Sequence, residues 1–135
     1  MISNNEYQIL SAIWSAGHSL TAREILHQIE DRGFKERTVH SIITVMLEKD
    51  ILFVEGQRRS GRTYSRCFNT DLKFEDFHSD QIKHDAIYVR NKNAILPGIF
   101  SSLIDDKDIS PETLSVLEKM LSDRRKDDDA GDNGL

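Results

Sequence analysis

A single cysteine, Cys67, is all the thiol chemistry this 135-residue chain holds. One thiol excludes an internal disulfide and a multi-cysteine metal site. Cys67 is expected in or beside a strand as a small apolar residue. The chain has no run of about 18 apolar residues, so membrane insertion is not expected. The opening MISNNEYQIL lacks a basic region followed by a long apolar stretch, so no signal peptide is read and the cytoplasm is the expected compartment. The histidines fall into no metal-ligand spacing, and His78 and His84 suit no single helical face. There is no nucleotide-binding glycine loop and no nucleophile placed beside a base. Neither an enzyme nor a metal or other cofactor is expected.

With 38% hydrophobic and 30% charged residues, the chain reads as a soluble globular protein of one ordinary domain or two small ones. The net charge of −5 is unevenly spread: residues 1–68 carry +1 and residues 69–135 carry −6. Local basic clustering matters more for phosphate binding than the chain total, and Arg58, Arg59 and Arg62 stand almost together.

Two helix starts are marked by capping-box spacing. Ser3 precedes Glu6, and Thr21 precedes Glu24, each pairing a hydroxyl cap with a carboxylate three residues on. Ile9, Leu10 and Ile13 give the first helix its buried stripe, and Gly17 ends it; Trp14 reads as core. Ala22, Ile25, Leu26 and Ile29 line the second helix, which Gly33 is expected to end. The stretch GFKERTVHSIITVMLEKDIL predicts a third. Residues about 100° apart put Val39, Ile42, Ile43 and Met46 on one side and Arg37, Ser41, Thr44 and Glu48 on the other, with His40 and Val45 flanking.

Ile51–Val54 and Thr63–Phe68 then read as two strands around a basic turn spanning Gly56–Gly61. Three short helices followed by a basic hairpin is the layout of a winged helix-turn-helix, in which the third helix enters the major groove and the wing touches backbone. The expected fold class is mainly α with a small β-hairpin wing. A winged-helix domain at 1–70 is followed by a helical dimerisation domain at 71–126 and a disordered acidic tail at 127–135. In the second domain one helix is read through Phe74, Phe77, Ile82, Ile87 and Val89. A short apolar element starts at Pro97, and a last helix is capped by Ser110 with Pro111 first. Three short helices bury little alone, so a second copy is expected to complete the core through Ile99, Phe100, Leu103, Leu114, Leu117 and Leu121.

These readings make double-stranded DNA the expected partner. Arg37, Thr38, His40, Ser41 and Thr44 are the candidate groove residues, and Arg58, Arg59 and Arg62 the candidate phosphate contacts. The exposed amides near Thr21 are offered a further phosphate. The competing readings are a solvated helix face with an ordinary basic turn, or a winged helix that binds protein without specific DNA binding.

Several of these stretches also resemble the penicillinase-repressor family, of the BlaI/MecI/CopY type. ISNNEYQILSAIWSAGHSLTAREILHQI, with Glu6, Tyr7, Trp14 and TAREI, is similar to the family's opening. RTVHSIITVMLEKDIL is similar to its recognition helix, and GRTYSRCF to its second wing strand. The resemblance weakens towards Lys126. It implies a winged-helix repressor of resistance or copper genes that dimerises on palindromic operators. In the β-lactam branch it also implies inactivation through a membrane sensor-protease pathway. The chain departs from the family pattern at several positions. Lys35 and Glu36 replace the usual cap and proline, Val45 replaces a basic residue, and Asp50 replaces a terminal glycine. Ser101 and Ser102 stand at the possible cleavage region in place of asparagine–phenylalanine, and the cysteine-rich tail of the copper branch is absent.

Overall fold

The computed structural model describes residues 2–29 and 33–133. The elements run α1 (Asn4–Ala16), β1 (Leu20–Thr21), α2 (Ala22–Gln28), α3 (Glu36–Glu48), β2 (Phe53–Ser60), β3 (Thr63–Asn69), α4 (Phe74–Lys83), α5 (Ala86–Ile104) and α6 (Pro111–Asn133). They form two compact units that divide between Lys83 and His84. The fold is mainly helical with one small antiparallel sheet, as the hydrophobic periodicity predicts.

In the first unit, both predicted capping boxes close. The Ser3 hydroxyl accepts from the Glu6 N–H while Glu6 accepts from the Ser3 N–H at 2.8 Å. Thr21 and Glu24 repeat the arrangement, again at 2.8 Å from the Thr21 N–H. Gly17 ends α1 in the left-handed conformation. The second helix stops earlier than expected: α2 ends at Gln28 with Ile29 as its cap, and Gly33, at φ +69°, lies in the approach to α3. Ile9, Leu10, Ile25, Val39, Ile43 and Met46 are fully enclosed where α1, α2 and α3 meet. Each such side chain contributes roughly 1.5–3 kcal/mol of transfer free energy, which outweighs the poor start of α3, where Lys35 makes no side-chain cap. Asp50 follows α3 at φ +59°, taking the left-handed conformation that glycine supplies at many helix ends.

The sheet order is β1-β3-β2. Its hairpin differs from expectation. The turn is only Gly61–Arg62, flanked by the pair Ser60↔Thr63, and β2 runs unbroken through Arg58 and Arg59. Gly56 does not open a turn. At φ +76° it takes up a register irregularity between Val54 and Gln57, so pairing resumes beyond it. Cys67 is buried on β3 opposite Thr21, as expected.

The first compact unit extends to Lys83, because α4 packs back onto α1. The Trp14 indole N–H donates to the Leu72 carbonyl at 2.8 Å. Tyr7, Trp14, Phe74, Phe77 and His78 form an edge-to-face cluster, with the Tyr7 hydroxyl 3.1 Å from His78 Nε2.

The second unit holds α5 and α6. The single helix expected from Phe74 to Val89 is two, because Asp85 caps a new start: its side chain accepts from the Ile87 N–H at 2.8 Å. Pro97 begins nothing. It lies inside α5, which bends upstream of it at Asn91 (φ −133°, ψ 28°). Ser110 caps α6 as expected, accepting from the Thr113 N–H, and Pro111 is the first helical residue. Of the acidic tail expected at 127–135, residues 134–135 lie outside the described residues, and α6 runs through the rest to Asn133. The ion pairs Lys119–Asp123 and Arg124–Asp128, each one turn apart, favour the extension. Among the described residues of this unit none is buried, while Ile87, Val89, Leu96, Leu103, Val116, Met120 and Leu121 are half or more exposed.

Candidate nucleic-acid interface

The burial of Val39, Ile43 and Met46 fixes the rotation of α3, and that rotation turns Arg37, Thr38, His40, Ser41 and Thr44 outward. All five are exposed, so the structure brings the predicted groove residues onto one surface. Their chemistry is mixed. The Ser41 hydroxyl donates to the Arg37 carbonyl at 3.1 Å and the Thr44 hydroxyl to the His40 carbonyl at 2.9 Å. With their protons committed to the helix backbone, both hydroxyls present acceptor lone pairs outward. These suit base amino groups such as the cytosine or adenine N–H edge. Arg37 makes no ion pair among the described residues, so its guanidinium is uncommitted. His40 Nε2 lies 3.8 Å from Glu36, a loose contact. Val45, 42% exposed, adds an apolar spot to this face.

The wing arginines differ from one another. Arg62 occupies the two-residue turn at the tip. Arg59 lies on β2 opposite Tyr64, its Nε donating to the Gly61 carbonyl at 3.1 Å. Arg58 is engaged elsewhere: Nη1 meets Glu24 Oε2 at 3.2 Å and Nη2 donates to the Ser19 carbonyl at 3.0 Å. It ties the wing to the start of α2. Sequence reasoning placed it in a free turn because the cross-strand register, which aims it at α2, is not written in the order of residues.

Thr21 is also committed within the unit. It is 6% exposed, and both its hydroxyl and its N–H are consumed by the capping box. The Glu24 carboxylate already occupies that helix start. Its pKa is held below the ordinary value of 4.5, first by the Thr21 N–H and further by Arg58. A resident anion there repels a phosphate.

Two cations escaped the sequence reading. Arg23, hidden inside the capping motif TARE, and Arg66, in the strand run YSRCF, line an open cleft of about 310 Å³ with His40, Ser60, Thr63 and Ser65. Arg66 is steadied by the Phe68 ring, whose centroid is 5.4 Å from its guanidinium carbon.

The candidate dimer residues divide by exposure. Leu103, Leu114 and Leu121 are exposed, and Ile99, Phe100 and Leu117 are half-buried. Ser101 and Ser102 lie on exposed positions of α5.

In comparison with known proteins, the family model described as penicillinase repressor matches residues 2–123. No curated protein matches the chain.

Proposed function

The chain belongs to the penicillinase repressor family, whose members are DNA-binding transcriptional repressors, and on that premise we propose that it acts as a homodimer seated on a palindromic operator. The outward face of α3 reads base edges in the major groove. Arg62 and Arg59 of the wing hold backbone phosphates, and Arg58 keeps the wing in place. The observation that carries the groove reading is the rotation of α3. Its buried side is fixed by Val39, Ile43 and Met46, and the opposite side has acceptor hydroxyls and a guanidinium with no ion pair among the described residues, beside a cationic hairpin.

The dimer rests on the second unit. Two helices with exposed leucines and no buried residue among those described gain a core by pairing with a copy of themselves. A two-fold pair presents its two reading helices to half-sites about 34–36 Å apart. It holds each half-site at high effective concentration once the other is bound. Repression of a resistance or stress-response gene, and relief by a sensor-protease pathway, follow the family. A cut or loosening anywhere from Leu96 to Asp106, the second half of α5 and the residues just after it, would release DNA without altering α3.

The test is mass by light scattering beside duplex affinity, for the wild type and for Leu117→Asp. The wild type should have twice the chain mass. The variant, burying an unpaired charge, should be a monomer with a folded first unit and weakened DNA affinity. A monomeric wild type, or a monomeric variant with full affinity, overturns the dimer mechanism.

A further inference from the structure

We propose that the cleft between α2, α3 and the wing hairpin is a phosphodiester site, in which Arg23 and Arg66 together hold one DNA phosphate between the reading helix and the wing. The proposal rests on the DNA-binding reading and adds to it two cations, Arg23 and Arg66, that neither the reading face of α3 nor the wing-tip arginines include.

Three observations place the site. First, the cleft joins the two elements that face DNA. His40 belongs to the outward side of α3, while Ser60 and Thr63 are the pair that closes the wing turn, so a duplex resting on both elements lies across it. Second, its charge is positive. Arg23 and Arg66 are exposed, and neither makes an ion pair among the described residues. Glu36 is the one carboxylate in the lining, and it faces His40 at 3.8 Å. Third, the lining is suited to an oxyanion. The hydroxyls of Ser60 and Ser65 supply neutral donors near the two guanidinium groups, while the Thr63 hydroxyl donates to the Ser60 carbonyl at 3.2 Å, and Phe68 holds Arg66 in position from below. The nearby Arg58 does not compete for the same phosphate, because Glu24 and the Ser19 carbonyl occupy it.

A phosphate held here would fix the angle between the reading helix and the wing. It would therefore contribute affinity that is blind to base sequence.

The experiment is a salt titration of full-length protein on a random duplex of roughly 30 base pairs, comparing the wild type with Arg23→Gln/Arg66→Gln and with Arg66→Lys. Each phosphate neutralised contributes about 0.9 to the slope of log affinity against log salt. The double variant should lose about 0.9 of slope with its melting temperature unchanged, and Arg66→Lys should retain the wild-type slope. An unchanged slope in the double variant overturns the site. A loss near 1.8 also overturns it, since the arginines would then hold separate phosphates. Melting measured with inorganic phosphate alone guards against a free-anion site: stabilisation lost in the double variant, with the DNA slope intact, counts against the DNA assignment. Absence of salt-dependent duplex binding by the wild type would defeat the DNA-binding reading itself, and the cleft with it.

Discussion

Replacing Arg58 should damage stability more than DNA binding, because its two polar contacts are internal. Glu24 accepts one guanidinium N–H at 3.2 Å and the Ser19 carbonyl another at 3.0 Å. The ion pair is substantially exposed, with side chains 44% and 37% accessible, so solvent screens it. Exposed pairs of this kind are worth about 0.2–1 kcal/mol, and the hydrogen bond to Ser19 adds about 1 kcal/mol. Arg58→Gln should therefore cost roughly 1–2 kcal/mol, of which about 0.5 kcal/mol is coupling to Glu24. Glu24→Gln is the matching change, since glutamine still accepts from the Thr21 N–H and preserves the cap. Thermal unfolding of the wild type, both single variants and the double variant isolates the coupling. For a unit of this size, about 0.5 kcal/mol is a shift of roughly 2–4 °C. On duplex DNA, Arg58→Gln should keep the salt slope that Arg62→Gln lowers by about 0.9. Zero coupling to Glu24, together with a slope loss equal to that of Arg62→Gln, would refute the reasoning and make Arg58 a phosphate contact.

Other expectations follow from single sites. Asp50→Gly should raise stability by about 1 kcal/mol, read from chemical denaturation, because φ +59° costs an L residue and not glycine; no gain would mean that the Asp50 side chain repays its strain. Trp14→Phe should cost about 1 kcal/mol or more and loosen α4, measured by amide exchange, since the Leu72 carbonyl loses its donor. Acid should destabilise the first unit. Glu6, nearly buried, is held below its ordinary value of 4.5 first by the Ser3 N–H and also by Lys49, and Glu24 is lowered in the same direction. Groups with depressed folded values contribute stability fully above about pH 4.5 and lose it as the pH falls through the folded values. A denaturation midpoint constant from pH 6 to roughly pH 3 would contradict this, and Glu6→Gln should flatten the profile.

The winged-helix unit was largely legible in the sequence because its signals are local. Ser3–Glu6 and Thr21–Glu24 close as capping boxes through contacts three residues apart, and the period of Val39, Ile43 and Met46 sets the rotation of α3 without reference to anything distant. The errors lie where distant partners decide. Arg58 looked like a turn residue until the register Arg58↔Ser65 carried it to Glu24. Thr21 looked like an anion site until its own cap and the neighbouring strand enclosed it. Trp14 packs against the core as read, but its indole also donates to the Leu72 carbonyl and meets Phe74 edge-on, contacts with distant residues that tie α4 to α1. Arg23 and Arg66 are 43 positions apart, and no pattern within either local motif pairs them across one cleft.

The central claim is that the outward face of α3 selects DNA sequence, and selection of bound duplexes from a fully randomised pool tests it most directly. The wild type should enrich a two-fold symmetric motif with half-site centres about one helical turn apart. Ser41→Ala and Thr44→Ala, which remove the outward acceptors, should relax defined positions within each half-site by about 1–3 kcal/mol where a strong base contact is lost. An unenriched pool, or the same motif at the same strength from the wild type and both variants, would contradict the assignment of α3 as the reading helix.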